Sequence, residues 1–166
     1  SAFVLAHSKV DELELKAIRY LEDQLLTKNE SLLNSLYIIG EITQSTHITI
    51  LIPSIIKILN CNTISDKILS ISIWCIGRIY EEHNFRFPFE NLIRKLQLNE
   101  HDFRVNYEAV SAICRYILKS DEIEKVQALY DVFDRHDGRV QYAISQALRV
   151  LSERKNIDLY KSILDK

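Results

Sequence analysis

The sequence predicts an all-α fold of stacked antiparallel helical hairpins, and three observations carry that expectation. In HDGRVQYAISQALRVL, residues 136–151, the apolar stripe Val140, Ile144, Ala147, Leu148, Leu151 steps by four, three, one and three, which is one face of an α-helix. The same wording occurs upstream: HDFRVNYEAVSAICRYI, residues 101–117, repeats the His-Asp, the Arg-Val and the Tyr at matching offsets. Composition agrees, since 47% apolar and 27% charged residues with three Gly and two Pro describe an ordered, helix-rich chain.

Each element follows from that ruler. Leu13, Ala17, Leu21 and Leu25 open the chain's periodic part as one apolar helical face. Ser31, Ser35, Ile38, Ile39 and Ile42 form the first, weakest copy of the stripe, its leading members being polar. HITILI, residues 47–52, alternates polar and β-branched apolar residues and in isolation reads as a strand. Its place in the period assigns it to a helix that continues as LIPSIIKIL, residues 51–59. The second copy is Ile68, Ser72, Cys75, Ile76, Ile79, with Ser65 placed to cap it.

Phe89, Leu92, Ile93 and Leu96 come next, with Pro88 expected in the first turn, where a missing N–H is harmless. Val105, Ala109, Ala112, Ile113 and Tyr116 are the third copy, preceded by Asp102 as N-cap; Asp137 does the same for the fourth. Between these two, Ile123, Val126, Leu129, Tyr130 and Phe133 have helical spacing, with Asp121 expected as their cap. Ile157, Tyr160, Ile163 and Leu164 begin a fifth unit, whose charged flank Asp158, Lys161, Asp165, Lys166 suits an end cap. The residue after each central pair is Gly40, Gly77, Cys114 and Arg149, so the period is 37, 37 and 35 residues.

A helical hairpin of this size cannot bury its stripe alone, and the small residues Ser72, Cys75, Ala109, Ala112 and Ala147 let neighbouring helices approach closely. DFRVNYEAVSAIC and DGRVQYAISQALR resemble the second helix of a HEAT repeat, and LIPSIIKIL resembles the first, where a Pro commonly bends an apolar segment. Gly40 and Gly77 match the glycine that closes the HEAT pattern, whereas Cys114 and Arg149 depart from it. The resemblance covers nearly the whole chain and implies a right-handed α-solenoid of about four repeats plus a terminal helix, as one domain over residues 1–166. HEAT motifs specify a fold and leave activity open.

Bulk properties narrow the functional classes. Twenty-one basic and 23 acidic side chains, dispersed along the chain, give a formal net charge of −2, so nucleic acid is not an expected partner. Cys61, Cys75 and Cys114 are odd in number and lack CxxC spacing, which predicts reduced thiols and a cytoplasmic compartment. No signal sequence opens the chain, and the longest apolar run, residues 48–59, is too short for a bilayer crossing of about 20 residues. The apolar start at Phe3-Val4-Leu5-Ala6 and the absence of Met suggest a fragment of something longer.

For chemistry, the chain offers no GxSxG, no cysteine with an identifiable base and no phosphate-cradling Gly loop, so neither enzyme nor cofactor is expected. His101 and His136 occupy equivalent turns beside Glu100, Asp102, Asp134 and Asp137; without HExxH, HxxxH or paired-Cys spacing their expected role is in turns and caps, not metal binding. Glu81, Glu82 and His83 read as a helix end meeting solvent.

In HEAT-like arrays the second helices usually line the concave face, and opposite the buried stripes stand three columns: Tyr37, Trp74, Ser111, Gln146; Glu41, Arg78, Arg115; and Ser70, Tyr107, Tyr142. Arg104 and Arg139 form a fourth near the turns, expected to pair with Asp102, Asp137 or acids of the next turn. Rows of Tyr, Trp and Arg are typical of binding hot spots. The expected partner-binding set is therefore Tyr37, Trp74, Arg78, Tyr107, Ser111, Arg115 and Tyr142, taking a protein or peptide with acidic or aromatic groups. Trp74 lies within ILSISIWCIGRI, so a core position is the competing expectation.

The resemblance leaves two other roles open. HEAT-like arrays include DNA-repair glycosylases and bilin lyases; the former would call on Arg78, Arg115, Glu41 and Trp74. The chain could equally serve as a structural segment of a larger solenoid.

Overall fold

The computed structural model describes residues 11–26 and 31–155, among which every regular element is helical and no strand occurs. The helices are α1 (Asp11–Leu26), α2 (Ser31–Glu41), α3 (Ile52–Leu59), α4 (Asp66–Glu82), α5 (Phe89–Leu98), α6 (Phe103–Ser120), α7 (Val126–Phe133) and α8 (Gly138–Lys155). Short 3-10 turns, Ile48–Leu51 and Ile123–Lys125, lead into α3 and α7. HITILI is thus no strand: His47 stands in a turn, Ile48–Leu51 form the 3-10 turn, and Ile52 opens α3. The expected fifth unit, residues 157–166, and the apolar start at residues 3–6 lie outside the described residues.

Two compact units divide the chain, Ser1–Phe85 and Arg86–Lys166. In the first, α1 packs on α2 and α3 on α4, while like helices also meet, α2 with α4 and α1 with α3. The second repeats the scheme: α5 packs on α6, α7 on α8, α6 on α8 and α5 on α7. Each unit is therefore a pair of helical hairpins in two layers, the arrangement that the small residues permit.

The buried stripes are those the spacing marks. Val105, Ala109, Ala112, Ile113 and Tyr116 on α6 are buried, as are Val140, Ile144, Ala147, Leu148 and Leu151 on α8. On α4, Ser72, Cys75, Ile76 and Ile79 are buried and Ile68 is half-buried. On α2, Ser35 and Ile39 are buried and Ser31 and Ile38 half-buried, while Ile42, just past the end of the helix, is buried too. Leu13 departs from the expectation: it sits in the first turn of α1 and is exposed.

Caps fix where the helices begin. Ser65 accepts the Ile68 N–H at 3.5 Å, and the Asp102 carboxylate accepts the N–H groups of Arg104 at 2.8 Å and Val105 at 3.4 Å. Asp137 does the same for Arg139 at 3.0 Å and Val140 at 3.2 Å. Each satisfies first-turn donors that no helical carbonyl can reach. Pro88 stands one position outside the first turn in which the sequence places it, as N-cap of α5.

Asp121 corrects the sequence reading more substantially. It ends α6 in the left-handed conformation (φ 67°) instead of capping α7, and its carboxylate pairs with Lys155. A short polar side chain tolerates that backbone better than most, which is also why Asn99 (φ 50°) ends α5. The 3-10 turn that follows Asp121 is pinned through Lys125. Its ammonium lies 4.2 Å from the Phe89 ring centroid and 5.6 Å from that of Tyr116, and 3.5 Å from the Glu122 carboxylate. Phe87 stacks on Tyr116 at 4.8 Å behind it.

Candidate functional site

The expected binding residues fall in both units, and each group has its own geometry. In the first unit, Trp74 of α4 lies half-buried across Gly40 of α2: a Cβ at position 40 would stand 1.9 Å from the indole Cζ3. Tyr37 is exposed, its ring 6.3 Å from that of Trp74 at an interplanar angle of 60°. Arg78, one turn beyond Trp74, places its guanidinium 5.9 Å from the indole centroid, and its Nε donates to the Gly40 carbonyl at 3.4 Å. Trp74 and Arg78 thus close the seam between α2 and α4, and the glycine is there because the indole occupies the space of a side chain. Ser70, expected in an exposed column, is buried and donates its hydroxyl proton to the Lys67 carbonyl within its own helix.

In the second unit the structure brings Tyr107, Ser111, Arg115 and Tyr142 together around one cavity of about 260 Å³ between α6 and α8. Gln146 completes the polar rim, while Val110, Cys114, Ala143 and Ala147 give it an apolar floor. Tyr107 and Tyr142 are 51% and 65% exposed, large apolar rings left to solvent on either side of the opening. The spacing explains the convergence: residues four apart on α6 stack along one face, and the repeat sets the matching residues of α8 beside them.

Arg115 is half-buried, and its Nη1 donates to the Ser111 hydroxyl at 2.9 Å. Glu108, on the same face of α6, has its pKa raised by burial, with the Arg115 charge acting in the opposite direction. At the rim, Arg149 Nε donates to Gln146 Oε1 at 3.2 Å and its guanidinium pairs with Glu153 at 3.4 Å. Sequence reasoning misses Glu108 and the apolar floor. The available signal for Glu108 is its position three residues before Ser111 and seven before Arg115.

The Arg column near the turns divides. Arg139 pairs with Asp137 at 2.9 Å and lies 4.3 Å from the centroid of the exposed Phe103 ring. Arg104 lies 5.8 Å from the same ring. Histidine behaviour also departs from expectation. His136 is buried, and neither ring nitrogen completes a hydrogen bond, so it does not cap a helix; burial lowers its pKa, the nearby Leu96 carbonyl and Asp137 opposing the shift. His83 ends α4 with its ring bonded to the Thr43 carbonyl at 2.7 Å and is half-buried. Among the described residues no group of three or more His, Cys, Asp or Glu is arranged to hold a metal ion, and no helix is long and apolar enough to cross a membrane.

No protein-family model matches the chain, nor does any curated protein or solved structure.

Proposed function

We propose that the chain is a HEAT-like α-solenoid module without enzymatic activity, which holds a peptide or protein segment against the α6–α8 face of its second unit. The observation that carries this reading is the open, mostly apolar cavity flanked by two exposed tyrosines and one arginine, residue types that concentrate binding energy. At about 260 Å³ it falls below the roughly 300–1,000 Å³ of small-molecule and cofactor sites, a size that suits one side chain of a partner. Its lining carries no carboxylate or imidazole, the groups on which general acid–base chemistry usually relies.

The solenoid reading is supported by the 37, 37 and 35-residue period and by the same layered hairpin pair recurring within each unit. The glycosylase alternative loses its tryptophan, since Trp74 is spent on covering Gly40. A cytoplasmic compartment fits three cysteines that form no disulfide among the described residues. The test is site-specific crosslinking: a photoreactive amino acid at position 142, with exposed Gln127 of α7 as control, should give partner adducts from 142 alone. Equal labelling from both positions refutes the groove.

A further inference from the structure

We propose that the α6–α8 groove takes one uncharged aromatic side chain, a tryptophan above all, from a linear peptide segment of its partner. This rests on the groove being a binding site and adds what fills it.

The chain supplies its own template. One column of the repeat places Tyr37 on α2 and Trp74 on α4, and the same column places Ser111 on α6 and Gln146 on α8. In the first unit the two ring centroids lie 6.3 Å apart, and the indole covers the seam between its helices. In the second, both positions carry slimmer polar side chains, and both line the cavity of about 260 Å³. The cavity is thus the place where the repeat writes aromatic rings in one unit and omits them in the other. One difference sets its depth. Cys114 stands where the first unit has Gly40, so an incoming ring rests on the side chains of Cys114 and Ala147 instead of on bare backbone.

Charge complementarity calls for a neutral occupant. Arg115, the one formally charged residue of the lining, donates to the Ser111 hydroxyl at 2.9 Å and lies within electrostatic reach of the Glu108 carboxyl. At the rim Arg149 pairs with Glu153 at 3.4 Å. These charges are matched by groups of the chain itself, so a carboxylate or an ammonium arriving there loses water without gaining a partner of its own. A guanidinium whose N–H groups are engaged in its plane still offers its flat face to a ring. Arg78 does so with Trp74, 5.9 Å from the indole centroid, while its Nε bonds the Gly40 carbonyl.

Shape separates an aromatic side chain from an aliphatic one. Tyr107 and Tyr142 flank the opening with rings left largely to solvent. A third ring between them makes tilted or edge contacts of the kind that Tyr37 makes with Trp74, which an aliphatic side chain does not. A nucleobase is flat and neutral as well, but it arrives with a phosphate. Glu108 and Glu153 stand beside the groove and its single cation is already engaged, which favours the peptide.

The experiment titrates the intact chain against fluorescent, amidated Gly-Ser hexapeptides bearing a single Trp, Leu, Asp or Lys, with oligoadenylate as a further probe. The Trp peptide should bind about 3- to 10-fold more tightly than the Leu one, and the Asp and Lys peptides more weakly still. Gln146→Trp restores the residue that the column carries in the first unit, so it should fill the cavity and abolish binding, its fold being checked by circular dichroism. Ser111→Tyr, on the other helix, should do the same and guards against a first variant that misfolds. A Leu peptide that binds as well as the Trp peptide, an Asp or Lys peptide that binds best, or a Trp preference that survives in both folded variants overturns this inference and leaves the groove standing. Failure to bind any peptide, or binding of oligoadenylate alone, removes the peptide groove and this inference together.

Discussion

Two of the chain's glycines do opposite work, and a methyl group added to each separates them. At Gly40 an added Cβ meets the Trp74 ring at 1.9 Å, and the indole is hemmed in by Tyr37 and Arg78. Gly40→Ala should cost about 1–3 kcal/mol, the range for overpacking a close contact. Because Trp74 is the only tryptophan, its emission should shift in the same variant. Gly138 opens α8 with nothing within 4 Å of where a methyl carbon would stand and no positive φ. Gly138→Ala should therefore stabilise, by about 0.4–1 kcal/mol, through the smaller entropy of the unfolded chain. Chemical denaturation of both variants measures the two signs. Trp74 also shows where sequence reading stops at this scale: the spacing places it opposite the buried stripe, and only the missing side chain at Gly40, a helix away, turns it into a seam residue.

Helix starts are legible in the sequence because capping is local. Ser65, Asp102 and Asp137 are recognisable from their distance to the stripe, and all three accept first-turn N–H bonds. Asp102→Ala should cost about 1 kcal/mol, read as a lowered denaturation midpoint with unchanged slope. Asp137 adds a pH signature, since its bonds to the Arg139 side chain and to backbone N–H groups hold its carboxyl below the usual range. Its contribution is present above the ordinary carboxylate pKa and is lost as pH falls through the depressed value. Asp121 misleads for the opposite reason, because a left-handed helix end and a bond to a lysine thirty-four residues away leave no local spacing to recognise. The 3-10 turn into α7 is equally invisible in the sequence, being held by aromatic rings from other elements. Lys125→Met should loosen it by about 0.5–2 kcal/mol, with amide exchange accelerating over residues 121–126.

At the scale of the molecule, the repeat is readable and the site only half so. The stripes give the layers, and the columns assemble Tyr107, Ser111, Arg115 and Tyr142 correctly around one cavity. What they cannot give is depth, which depends on how far Ala143 and Ala147 let α8 approach α6. If the array is continuous, as proposed, its two compact units should unfold together. Tryptophan emission follows the first unit alone and far-ultraviolet dichroism follows both, so coincident melting curves are expected, and two separated transitions would sink the single-array reading. Acid should weaken the fold before the carboxylates titrate. His136 is buried with its pKa lowered, so the unfolded chain takes up a proton first as pH drops through about 6.5. Stability declines from there to the lowered folded value. His136→Leu should flatten that slope between pH 7 and 5.

The cysteines carry a last consequence. Cys75 gives its thiol proton to the Leu36 carbonyl across the α2–α4 contact, and Cys114 reaches Ala147 across α6–α8. Cys75, fully buried, is sealed in this way, whereas Cys114 floors an open cavity; a brief local opening under peroxide would expose Cys75, and a sulfinate there has no room to return. Oxidative damage to this molecule would thus act as a ratchet, accumulating one breathing motion at a time.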